Sequence, residues 1–65
     1  MFKIKVKVDV IRGNTTKQET FETMVDHKTW SKLGSSGDRD EVLNSWCNSM
    51  FPGADKLRLM QRSKV

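Results

Sequence analysis

The sequence predicts an α+β fold: a three-stranded, mostly antiparallel sheet with one main helix packed on one face, in the order ββ(α)αβ. Three observations predict it. Apolar and polar residues alternate from Phe2 to Ile11, a one-sided apolar pattern runs from Val42 to Met50, and a second alternation runs from Lys56 to Arg62. With 65 residues, the chain is expected to form a single ββαβ domain over residues 1–65.

The first two strands are predicted to form a hairpin. One face of the first strand is apolar, and the other is polar with Lys3, Lys5, Lys7 and Asp9. Gly13-Asn14 predicts the turn, because both residues tolerate the positive φ angles of tight hairpins, and a second strand runs from Lys17 to Val25. A two-residue loop pairs Val6 with Phe21, and a four-residue loop pairs Val8 with Phe21. Both loop lengths keep apolar residues opposite each other, so both are retained as alternatives.

Two helical segments are predicted to follow. Asp26 to Gly34 indicates a short helix with Asp26 as N-cap and a glycine stop, in which Trp30 is interpreted as a core residue rather than a contact residue. The main helix is predicted to begin at Asp38, which forms a capping-box pattern with Glu41. Phe51-Pro52-Gly53 predicts its end.

The open face of the sheet is predicted to be basic. The chain has 12 Lys and Arg against 8 Asp and Glu, a net charge of +4. If Leu57 and Leu59 point inward, seven cations against two carboxylates give that face +5; the cations are Lys3, Lys5, Lys7, Lys56, Arg58, Arg62 and Lys64, and the carboxylates are Asp9 and Glu22. The first six of these cations are candidate contacts for nucleic acid or another polyanion. Lysines on an open sheet face also serve solubility and edge protection, which is the competing interpretation.

The residue types needed for catalysis are sparse. His27 is the only histidine and has no second histidine or cysteine near it in sequence, while Asp38, Asp40 and Glu41 fit helix capping. Cys47 is the only cysteine, so an internal disulfide is excluded, and we interpret it as a buried small hydrophobe. We therefore expect no enzyme, no metal and no cofactor. With no membrane span or signal-peptide pattern, we expect a cytoplasmic protein.

The order of elements has a parallel among known proteins. A hairpin with a lysine-rich first strand, an acidic-capped helix, a Phe51-Pro52-Gly53-Ala54 turn and a final basic strand resemble the small ββαβ proteins of phages and mobile elements. A ribosomal protein family of archaea and eukaryotes has a similar order and binds RNA. The resemblance covers most of the chain but assigns no functional residue. It implies a small module that binds a host macromolecule.

Two functions from different classes are therefore carried forward. The first is a small non-enzymatic interaction module, phage-like, that binds a host macromolecule, expected to be a protein, and modulates its activity. Its contacts would be a strand edge or the exposed apolar residues Ile11, Met24 and Met60. The second is a nucleic-acid-binding accessory protein that contacts phosphates through the basic sheet face. A homodimer through a strand edge is a third alternative, because 65 residues supply few apolar groups.

Overall fold

The sheet has its first strand in the middle. The computed structural model describes all 65 residues. In it β1 (Phe2–Arg12) lies between β2 (Thr15–Val25) and β3 (Lys56–Lys64), and both pairings are antiparallel. The chain forms α1 (His27–Leu33) and α2 (Ser36–Met50) between β2 and β3. The predicted α+β fold is confirmed, with the order β-β-α-α-β rather than a strict ββαβ.

The hairpin uses the two-residue turn. Val6 lies opposite Phe21 and Lys5 opposite Glu22, so the even loop is confirmed and the four-residue alternative is wrong. Within this turn only Gly13 has a positive φ, of +57°, and Asn14 does not, since no residue other than glycine adopts one in this chain. β2 begins at Thr15 rather than Lys17, since the tight turn lets pairing continue to Arg12 and Thr15.

The pairing of β3 with β1 contains a bulge. Leu59 lies opposite Val8 and Gln61 lies opposite Lys7, although Val8 and Lys7 are adjacent on β1. Met60 is therefore an extra residue on β3, and the side chains that follow it point to the opposite face from the one a regular strand predicts. The strand also extends to Lys64, two residues beyond the predicted end.

The helix boundaries follow local hydrogen bonds. Asp26 caps α1 as predicted, because its Oδ1 accepts a hydrogen bond from the Thr29 amide at 2.7 Å. The predicted capping box at Asp38 is wrong: α2 begins at Ser36 with Ser35 as N-cap, and the Arg39 amide donates to the Ser35 carbonyl at 2.8 Å. Asp38 instead lies in the first turn, where its charge suits the helix dipole.

The core lies between one face of the sheet and the two helices. Every second residue of β1 from Ile4 to Val10 is at most 1% exposed, and the remaining buried side chains are Val25, Leu33, Leu43, Cys47 and Leu57. Trp30 and Trp46 are half-buried and pack against this cluster. The helices therefore cover one face of β1 and leave the other to solvent.

Candidate functional site

The uncovered face of the sheet is centred on three lysines of β1. Lys3, Lys5 and Lys7 alternate with the buried residues Ile4 and Val6, so all three point away from the core. Neighbouring lysines on one strand face are about 6–7 Å apart, which is comparable to the separation of successive phosphates along an extended nucleic-acid strand. The central strand therefore carries a row of cations through the middle of the open face.

β3 adds two cations to this face, and its bulge removes two others. Lys56 lies opposite Ile11, and Arg58 lies opposite Asp9. The predicted placement of Arg62 and Lys64 on the open face is wrong, because beyond the bulge they lie opposite the inward-facing Val6 and Ile4. We define the basic face as Lys3, Lys5, Lys7, Lys56 and Arg58. With Asp9 and Glu22 on the same side, these five cations and two carboxylates leave +3 rather than +5.

Most of the basic face has no ion-pair partner. Lys3 Nζ lies 3.8 Å from Glu22 Oε1, and both side chains are about half exposed. The other four cations have no carboxylate oxygen within 4.0 Å, although Asp9 lies opposite Arg58 in the register. Their charge is therefore available to an external anion, and water solvates it in the free protein.

A shallow concavity lies beside the lysine row. Its volume is about 320 Å³, and it has no hydrophobic lining residue; it is lined by Lys5, Lys7, Thr20, Gln61 and Ser63. The register explains this set, because Lys7 lies opposite both Thr20 and Gln61, while Lys5 lies opposite Ser63. Ammonium, hydroxyl and amide groups can all donate hydrogen bonds, and the lining contains no carboxylate. Such a surface suits the oxygens of a phosphate group.

The residues displaced by the bulge form an aromatic cluster on the helix side. Arg62 Cζ lies 4.0 Å from the centroid of the Trp30 ring, and its Nη1 donates to the Trp30 carbonyl at 2.7 Å. Lys64 Nζ lies 5.0 Å from the Phe2 ring centroid. Arg62 also crosses Gly34, where an added Cβ would approach its Nη2 to 2.8 Å. These contacts attach α1 to β3.

The sequence contained one signal for this displacement. A regular β3 would have turned Gln61 and Ser63 toward the core after Leu57 and Leu59. Two polar residues at inward positions indicate an irregular strand, because burying an unpaired amide or hydroxyl costs free energy. The bulge returns both residues to the open face.

The apolar residues considered for a protein contact are dispersed. Met24 lies opposite Lys3 at one end of the face, and Ile11 lies at the hairpin end of β1, eight residues from Lys3. At a rise of about 3.3 Å per residue, these two ends are roughly 26 Å apart. Met24 and Met60 are half exposed, whereas Ile11 is partly buried. The three residues therefore do not form one apolar patch.

The polar groups considered for chemistry are separated from one another. His27 is exposed, and its ring centroid lies 5.1 Å from that of Phe2. Cys47 is buried and its Sγ lies 3.5 Å from the Ala54 carbonyl oxygen. A hydrogen bond from the Thr29 amide and a smaller contribution from the Thr29 hydroxyl lower the pKa of the Asp26 carboxyl.

No three His, Cys, Asp or Glu residues come together in a metal-binding arrangement. Neither helix combines the length and the apolar character of a bilayer span.

Comparison of the chain with protein-family models, with curated proteins and with solved structures finds no match to any of them.

Proposed function

We propose that this protein is a non-enzymatic binding module whose basic face holds the phosphate backbone of a nucleic acid. The observation that carries the proposal is a set of four cations without carboxylate partners, two of which, Lys5 and Lys7, line a concavity that contains only polar side chains. Lys and Arg side chains that neutralise phosphates supply most of the sequence-independent affinity for nucleic acids.

The positions of the aromatic side chains favour phosphate contacts over base contacts. Sheet modules that read single strands stack bases on aromatic residues of the open face. Here Phe2, Phe21 and Trp46 are half-buried and pack against the core from the helix side. We therefore expect binding with little sequence preference, because phosphate contacts position a protein without reading bases.

The charge distribution supports the same function. The basic face holds +3 of the molecule's net +4, so the charge is concentrated on one side of the protein. A surface with a net positive charge raises the local concentration of an anionic partner. This attraction weakens as the salt concentration rises. Solubility alone does not require the cations to be concentrated on one face.

A fluorescence-anisotropy titration with mixed-sequence DNA and RNA oligonucleotides tests the proposal. Between about 50 and 200 mM salt, a face that contacts four or five phosphates should lose roughly 50- to 500-fold in affinity. The double variant Lys5→Glu/Arg58→Glu should weaken binding to every sequence alike and flatten the salt dependence. The matched control Arg12→Glu/Lys28→Glu makes the same change in net charge away from this face.

The outcomes separate the site from bulk charge. Equal losses in the two double variants would show that net charge, rather than the basic face, attracts the oligonucleotide. No binding at low salt would overturn the proposal. The alternative function, docking on a host protein, would then be favoured; the two methionines of the dispersed apolar set, Met24 and Met60, are 51% and 49% exposed.

A further inference from the structure

We propose that two copies of this chain pair through the outer edge of β2, antiparallel and centred on Gln18, to form one continuous six-stranded sheet. The strand order β2-β1-β3 leaves one edge of β2 and one edge of β3 without a partner strand. An unpaired edge exposes a row of backbone donors and acceptors that another strand can bind. The two edges differ in how well they resist this.

Nothing in the backbone of β2 blocks pairing along its outer edge. β2 pairs with β1 over all eleven residues without a register shift, so its backbone is regular along its whole length. It contains no proline and four threonines, and threonine favours strands. Its one lysine, Lys17, is balanced by Glu19 and Glu22.

The outer edge of β3 is protected in two ways. The bulge at Met60 interrupts its regular backbone. Its charged side chains are all cations, namely Lys56, Arg58, Arg62 and Lys64. Two β3 strands brought together would place cations against cations, which disfavours pairing. β2 is therefore the edge that can accept a second copy.

The backbone groups of β2 that face outward follow from hydrogen bonds on the far side of β1. The carbonyls of Lys3 and Ile11 accept from the amides of Val65 and Asp55, so odd-numbered residues of β1 bond toward β3. Even-numbered residues of β1 must then bond toward β2, where their partners in the register are odd-numbered. The even-numbered residues of β2 therefore direct their N–H and C=O groups to the open edge.

Charge selects the register of the pairing. Centred on Gln18, an antiparallel pair places Lys17 opposite Glu19 of the second copy, and this occurs twice by symmetry. Both ion pairs fall on non-hydrogen-bonded positions, where opposing side chains are closest. Lys17 Nζ already lies 3.5 Å from Glu19 Oε1 within one chain, so both side chains occupy the same face of β2.

The other symmetric registers lack this complementarity. Centring on Glu19 places that carboxylate opposite its own copy, and like charges directly opposite each other are unfavourable. Centring on Thr20 aligns all of β2 but places Glu19 opposite Phe21 and forms no ion pair. The Gln18 register also sets Thr16 opposite Thr20, a favourable cross-strand pair.

Pairing in this register has a geometric consequence. Directly opposed residues of neighbouring strands point to the same side of a sheet. The basic faces of the two copies therefore lie side by side and face the same way. A nucleic acid crossing the dimer would contact both faces, so avidity follows from the interface.

Sedimentation velocity of the full chain at concentrations up to about 1 mM tests the dimer. We expect a concentration-dependent monomer–dimer equilibrium. Glu19→Lys should weaken it roughly tenfold or more, because each dimer then has two like-charge contacts. The charge swap Lys17→Glu/Glu19→Lys should restore it. Glu41→Lys makes the same charge change on the exposed side of α2 and should leave dimerisation unchanged.

Gln18→Pro provides a second test of the edge. It removes an outward-facing N–H and no bond to β1, so circular dichroism should show a folded monomer. A monomeric wild-type protein throughout the concentration range would overturn the proposal. So would a dimer that Glu19→Lys does not weaken, or a charge swap that fails to restore the weakened dimer. Oligonucleotide binding is measured separately, at concentrations where the protein is monomeric.

Discussion

The two outer strands pair with the same central strand, but only one of them is regular. β2 follows β1 residue for residue, because the two-residue turn at Gly13 fixes its register from Arg12 and Thr15 onward. β3 follows α2 in the chain, so no tight turn fixes its register with β1, and it carries an extra residue at Met60. Each outer strand supplies one buried side chain, Val25 in β2 and Leu57 in β3.

The difference shows how one residue changes the distribution of charge. Before the bulge, Lys56 and Arg58 of β3 join the basic face. After it, Arg62 and Lys64 turn to the helix side and pack on Trp30 and Phe2. The strand thus contributes cations to the solvated face with its first half and anchors α1 with its second half.

Deleting one residue from β2 or from β3 should change the stability of the protein by very different amounts. Removing Thr20 from β2 shifts every later residue by one position, which turns Phe21 and Val25 outward and Glu22 inward. We expect a loss of at least about 3 kcal/mol in the free energy of unfolding. Removing Met60 makes Leu59 and Gln61 neighbours, as their partners on β1 already are, and should cost at most about 1 kcal/mol. Urea unfolding followed by tryptophan fluorescence measures both.

The deletion of Met60 also has a structural readout. Without the bulge, Arg62 should still lie opposite Val6 and contact Trp30, and an NMR contact between their side chains would show it. If deletion of Met60 destabilises the protein as much as deletion of Thr20, the extra residue is required for the packing of β3, contrary to this account.

Substituting β3 cations on either side of the bulge should lower the free energy of unfolding by unequal, more moderate amounts. Arg62→Ala removes a hydrogen bond to the Trp30 carbonyl and the contact with the Trp30 ring, and should cost about 1–2 kcal/mol. Lys56→Ala removes a cation with no ion pair and should change the free energy of unfolding by less than about 0.5 kcal/mol. The same urea unfolding assay applies. Equal losses would show that Arg62 adds nothing beyond an ordinary surface cation.

Loss of the Asp26 cap, which lies between β2 and α1, should have the smallest effect on stability. The hydrogen bonds from Thr29 lower the folded-state pKa of Asp26 below its ordinary value of 3.8. The stability that this cap contributes is therefore present above pH 3.8 and is lost as the pH falls through the lower folded-state value. An NMR titration of the Asp26 carboxyl should give a pKa below 3.8. Asp26→Asn keeps a cap acceptor and should remove this pH dependence; titration at or above the ordinary value would contradict the role of the cap.

The hairpin could be predicted from sequence because several local signals agree. The alternation of β1, the turn residues Gly13-Asn14 and the pairing of Val6 with Phe21 all favour the same even register. The Asp26 cap was equally predictable, since a cap depends on residues within one turn of it. Five of the six candidate cations are on the expected face for the same reason: strand alternation determines it up to the bulge.

The errors occur where distant parts of the chain decide the outcome. Arg62 was assigned to the open face because regular alternation was continued through Met60, whereas the bulge turns Arg62 to the helix side, where it contacts Trp30 of α1. The start of α2 was misplaced because both Ser35 and Asp38 are good N-cap residues, and the earlier one gives the longer helix. The pairing of β3 beside β1 rather than β2 is also a property of tertiary packing.

The position of Cys47 makes this thiol a natural reporter of opening motions. Its side chain lies in the core, and its Sγ is 3.5 Å from the carbonyl oxygen of Ala54, in the connection between α2 and β3. A thiol reagent can reach it only when α2 separates from the sheet or this connection opens. Its labelling rate therefore measures how often β3 and α2 part, without any added probe.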